Sequence, residues 1–169
     1  MKPESFFRWF VAVLVACVLA IVAVRATACE NPEVVYKAPE FPELRVPQAE
    51  LTERTKEANV VGLTSADLRF VVSRNRETNC PVKVVVDLVG PVVRIADGLK
   101  GRCYAAIQAH EHVHVEDFLR ITQQVADWIA DGVEPKRAFE EWSIKVSVAS
   151  GKIDNKVEYN RLYRICNGD

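Results

Sequence analysis

Apolar positions along the chain change their spacing several times, and each change predicts an element. Residues 9–24 form one uninterrupted apolar run. Pro32, Pro39, Pro42 and Pro47 then break any helix and predict an extended arm over 29–50. Residues 51–58 are polar and compatible with a short helix. In 67–74, Leu68, Phe70 and Val72 alternate with polar or smaller neighbours, as in a half-buried strand. Residues 82–89 and 92–96 are β-branched runs separated by Gly90-Pro91, which predicts two strands joined by a tight turn.

After Gly101 the period becomes about 3.6. Steps of about 100° place Ala106, Ile107, His110, Val113, His114, Phe118, Ile121, Val125 and Trp128 on one face of a long helix that closes at Gly132. Pro135 suits the first turn of a second helix, in which Phe139, Trp142, Val146 and Ala149 recur at core spacing up to Gly151. A third helix is expected from near Asp154 towards Cys166, with Val157, Leu162 and Tyr163 or Cys166 on its apolar side. The predicted fold is therefore α+β: a small antiparallel sheet, then a long helix and two further packed helices, all following an N-terminal hydrophobic helix. The expected boundaries are a signal peptide or membrane anchor at 1–28, the Pro-rich arm at 29–50 and one domain at 51–169.

Lys2 and Arg8 before the apolar run, and Ala26 and Ala28 after it, have the order of an export signal. Cleavage after Ala28 would release a periplasmic or secreted protein. An uncleaved segment 6–24 would anchor it in the inner membrane. Cysteine usage agrees with export, because Cys29, Cys80, Cys103 and Cys166 suffice for two disulfides. Three pairings are open, of which Cys80 with Cys103 and Cys29 with Cys166 is favoured because the latter would join the mature ends. The formal net charge is −1, and Lys2, Arg8 and Arg25 outweigh Glu4 by two, so residues 29–169 carry about −3. Acids and bases are interleaved throughout, which sets nucleic-acid binding aside.

The three histidines of the chain fall within five residues, His110-Glu111-His112-Val113-His114. On a strand they would share one face, but the helix-forming residues on both sides favour a helix. There His110 and His114 are neighbours able to bind one tetrahedral zinc, and His112 points to solvent. The pattern is HExxH, and here the chain resembles the zincin metallopeptidases. The resemblance implies His110 and His114 as zinc ligands and Glu111 as the general base acting on zinc-activated water. Asp117 and Arg120 stand where metzincins place a turn Gly and a third His, so that subtype is excluded.

Glu134 has the spacing of the third ligand in thermolysin-like members. A helix continuing about 17 residues beyond His114 would, however, carry it about 25 Å away. An antiparallel second helix returns the chain near 151–158, which makes Glu158 the first choice for third ligand. Asp154, which also suits a helix-capping role, is the second choice. Asp117 is read as a partner that orients His114 or an arginine. By resemblance, 92–96 would hold an extended peptide by backbone pairing, and Tyr159 or Tyr163 would assist an oxyanion or else pack in the core. The function expected is an exported zinc-dependent peptidase acting on a peptide or protein. The alternative is a non-catalytic envelope protein whose metal site is structural or degenerate and whose fold serves protein interaction.

Overall fold

The computed structural model describes residues 29–57 and 59–168. The expected hydrophobic helix and export signal lie outside them. The elements are β1 (Glu33–Tyr36), β2 (Glu43–Val46), α1 (Gln48–Thr55), β3 (Gly62–Arg74), β4 (Pro81–Ala96), α2 (Gly101–Ala130), α3 (Pro135–Ile153) and α4 (Lys156–Asn167).

The sheet corrects the sequence reading in two ways. It is not the purely antiparallel sheet expected. β1 and β2 pair parallel with β4, at 83–86 and 93–96 respectively, and β3 pairs with its other side antiparallel. The Pro-rich stretch is thus no free arm, because its β-prone residues complete one edge of the sheet in two pieces. Pro39 and Pro42, which lack the N–H that a ladder needs, fall between those pieces.

The second correction concerns Gly90-Pro91, which does not turn the chain. Residues 81–96 form one strand in which Gly90 takes φ +62°. The ladder to β3 shifts there, so β4 holds one residue more than β3 between the pairs Ser65 with Val92 and Asp67 with Val89. Such a bulge inverts the side-chain alternation of the bulged strand only. Val84, Val86 and Leu88 are accordingly buried before it, and Val93 and Ile95 after it. β3 keeps its parity, which places Gly62 opposite Ile95 and Thr64 opposite Val93, on the face that carries Leu68.

That face meets α2. Leu68, Val84, Val86 and Leu88 pack with Phe118, Ile121, Val125 and Ile129 of α2 and with Ala138 and Trp142 of α3. Trp142 Nε1 donates to Thr122 Oγ1 (3.0 Å), which in turn donates to the Phe118 carbonyl (2.7 Å), so the polar atoms at this helix crossing are partnered. A second cluster, Val93, Ile95, Ile107 and Leu162, seats α4 beside the start of α2.

The α2 stripe follows the sequence reading except at Val113, which is 44% exposed. α2 closes at Gly132 with φ +92°, and Pro135 opens α3, both as expected. The disulfide reading is corrected: Cys103 pairs with Cys166 (Cα–Cα 4.5 Å), joining the first turn of α2 to the end of α4. Cys29 and Cys80 are disulfide-bonded as well, so the chain holds two disulfides.

Candidate metal centre

His110 and His114 lie four residues apart on the buried stripe of α2, with ring centroids 5.1 Å apart and ring planes at 80°. The carboxylate that meets them comes from the junction of α3 and α4. α3 spans 19 residues, so it retraces about 28 Å of α2 and brings its end back to the level of the histidines. Asp154 is the residue that closes α3. It does not cap α4, since that role belongs to Asn155, whose side chain accepts from the backbone N–H groups of Val157 (2.9 Å) and Glu158 (3.0 Å). The Asp154 carboxylate is left for the imidazoles: its Oδ1 lies 3.0 Å from His110 Nε2 and 3.2 Å from His114 Nε2.

Two imidazole nitrogens and one carboxylate oxygen thus lie within 4.8 Å of one another. In a tetrahedral zinc site, with bonds of about 2.0–2.1 Å, ligand atoms are about 3.3 Å apart. The donor set could therefore hold a metal ion.

The three groups are joined through the Asp154 Oδ1 contacts. Burial alone would raise the Asp154 carboxyl, but the two imidazoles bonded to it take it well below its ordinary range. His110 is raised, by its hydrogen bond to Asp154 against the opposing effect of burial. Burial also raises Glu111, more than the Thr64 hydroxyl and the imidazoles lower it.

A pH dependence follows. A raised His110 stabilises the fold fully below its unfolded value of about 6.5 and loses that contribution as pH rises through its folded value. A raised Glu111 acts with the same sign. The lowered Asp154 contributes above its unfolded value of about 3.9 and is lost only in acid. Metal-free protein should therefore be most stable near about pH 4, weaken above it as Glu111 ionises, and weaken further towards pH 8 as His110 loses its proton. Added zinc should stabilise it more as pH rises, because metal and protons compete for the same nitrogens. Urea titrations at several pH values, with chelator and with zinc, read both slopes. Parallel slopes would count against metal at these nitrogens.

Glu111 is more buried than either histidine and turns towards β3. Its Oε2 accepts from Thr64 Oγ1 at 2.8 Å. A Cβ added to Gly62 would lie 2.3 Å from Glu111 Oε1, so only glycine leaves room for this carboxylate. Neither Gly62 nor Thr64 stands out in the sequence. The sole signal was parity, since both are even-numbered like Leu68, Phe70 and Val72.

The remaining sequence candidates are placed differently. Glu158, the first choice for third ligand, stands outside the cluster that His110, His114 and Asp154 form. Its carboxylate is held by Arg161 (2.5 and 2.7 Å) and approaches only the far ring nitrogen of His110, Nδ1, at 3.5 Å. Asp117 is only partly buried and pairs with Arg120 on its own helix (2.5 Å), so it orients an arginine and not His114. His112 is exposed, as expected, and Glu134 precedes α3 at the far end of the helix pair.

The site opens into a cleft of about 780 Å³. Thr55, Glu57 and 59–64 line one wall, and Tyr159, Leu162, Tyr163 and the Cys103–Cys166 disulfide line another. Tyr159 and Tyr163 are exposed there and are not core residues.

No protein-family model, no curated protein and no solved structure matches the chain. What the fold and the site define is a mixed α/β protein with two disulfides and a buried His110, His114 and Asp154 cluster that could hold a metal ion.

Proposed function

We propose that this chain is an exported zinc-dependent peptidase, in which His110, His114 and Asp154 hold the metal and Glu111 is the general base. One observation carries the reading. Both Nε2 atoms converge on one carboxylate oxygen at the floor of an open cleft, with a buried acid from the same helix beside them. Bound there, zinc would supply Lewis acidity, polarising a carbonyl and making water a better nucleophile at neutral pH.

The chain's own residues supply the rest. Asp154 and the imidazoles form a donor set with one net negative charge, suited to a divalent cation. Burial raises the Glu111 carboxyl towards the range in which a group can both take up and release a proton near neutral pH. Three protein donors gather among the described residues, which suits a catalytic site better than a structural one closed by a fourth ligand.

The peptide-holding role expected of 92–96 passes to another strand. That segment is paired on both sides, by β2 and by β3. Among the described residues β3 pairs with β4 alone, and its residues 62–64 line the cleft, so an extended peptide would add to the β3 edge. The two disulfides agree with an oxidising compartment outside the cytoplasm.

Glu111→Gln is the test. The variant should keep about one zinc per chain and lose hydrolysis of an unfolded protein substrate by about 100- to 10,000-fold, the contribution typical of a general base. Purified protein without metal, or a Glu111→Gln variant as active as the parent, would sink the proposal. Zinc bound with no hydrolysis by either form would favour the structural-site alternative.

A further inference from the structure

We infer that Thr64 and Gly62, at the start of β3, are positioning residues that hold the Glu111 carboxylate in one orientation against the metal centre. The inference rests on the general-base reading of Glu111 and deepens it.

These two residues share the α2 face with Leu68 by the parity of β3, and the bulge at Gly90 turns Val93 and Ile95 of β4 to the same face beside them. The Thr64 hydroxyl stands between two acceptors that both belong to Glu111, Oε2 at 2.8 Å and the backbone carbonyl at 3.1 Å. A hydroxyl has one proton to donate, so whichever oxygen takes it, the bond returns to the same residue. Gly62 acts on the other carboxylate oxygen. A Cβ there would lie 2.3 Å from Oε1, 2.9 Å from Cδ and 2.9 Å from Ile107 Cγ2. The glycine is needed for close approach and not for an unusual backbone angle. One oxygen is thus hydrogen-bonded and the other lies against main chain, which removes the torsional freedom a glutamate normally has. Neither residue touches the metal donors, so their effect on the chemistry passes through Glu111.

The test uses the full chain in zinc and Co(II) forms, with Thr64→Val, Thr64→Ser, Gly62→Ala and Glu111→Gln. Valine keeps the shape of threonine and removes the donor. Thr64→Val should retain metal and melt within a few degrees of the parent. Its kcat should fall about 10- to 100-fold, as when a supporting hydrogen bond at a metal site is lost, with KM nearly unchanged. Thr64→Ser should restore it.

A second readout needs no turnover. The visible spectrum of the Co(II) form should shift in Thr64→Val in the same direction as in Glu111→Gln, and should return to the parental spectrum in Thr64→Ser. Gly62→Ala should shift it too, by displacing Oε1. A Thr64→Val protein with parental kcat and parental Co(II) spectrum overturns the inference, as does a loss that serine fails to rescue. If the parent takes up no Co(II), or Glu111→Gln leaves both activity and spectrum unchanged, the general-base reading itself falls and takes the inference with it.

Discussion

Replacing Asp154 with alanine should reduce zinc affinity by more than about 100-fold, whereas Glu158→Gln should change it by less than about threefold. The contrast follows from which carboxylate the helices deliver. Asp154 Oδ1 is 3.0 and 3.2 Å from the two Nε2 atoms, and without it two imidazoles on one helix remain, too few to enclose a tetrahedral ion. Glu158 is already engaged by Arg161 and faces the ring nitrogen directed away from the site. Asp154→Asn should lie between parent and alanine, because it keeps one oxygen and loses the charge. Chelator competition and metal content after dialysis measure all three. If Glu158→Gln lost zinc and Asp154→Ala kept it, the third ligand would return to Glu158 and α4 would have to dock differently.

Cys103→Ser combined with Cys166→Ser should destabilise the protein by about 4 kcal/mol, the loop-closure entropy expected for a sequence separation of 63. For a domain of this size that corresponds to a fall in Tm of roughly 15 °C. Few other contacts tie α4 down: Leu162 is its one buried residue, while Val157 and Tyr163 are 78% and 67% exposed. The disulfide therefore fixes the wall of the cleft that carries Tyr159 and Tyr163. Zinc binding should suffer less than stability does, because Asp154 closes α3, which is anchored independently by Trp142 and Ala138. Thermal unfolding with and without saturating zinc separates the two effects. A double variant melting within about 3 °C of the parent would mean that α4 is held by packing alone.

Much of the helical half was legible in the sequence because a helix writes its buried face at a short, regular spacing. Ile107, His110, His114, Phe118, Ile121 and Val125 are all buried on the predicted stripe. Length arithmetic on two antiparallel helices was enough to reject Glu134 and to return the chain to the site at 151–158. It could not choose between Asp154 and Glu158. That choice depends on which residue caps α4, and Asn155 takes the cap, leaving Asp154 facing the histidines. The sequence reading places Asp117 at the centre of the buried face, yet it is only partly buried and pairs with its helix neighbour Arg120.

The sheet was harder to read. Gly90-Pro91 carries the sequence marks of a turn, and a bulge uses the same residue types. The two differ only in whether a partner strand continues past them, and β3 does. Nor could the short runs 33–36 and 43–46 announce that they would pair parallel with a strand about 50 residues away, since parallel pairing leaves no local mark.

By itself, the sequence determined the long amphipathic helix, the two imidazoles on its buried face, Glu111 next to them and the return of the chain by a second helix. These are consequences of spacing within a single element. The tertiary structure decided that Asp154 meets the two imidazoles, that Cys103 pairs with Cys166, and that Gly62 and Thr64 meet Glu111. Each of those is a contact between elements, fixed by strand register, by a cap and by helix packing, none of which is encoded at the positions that finally touch.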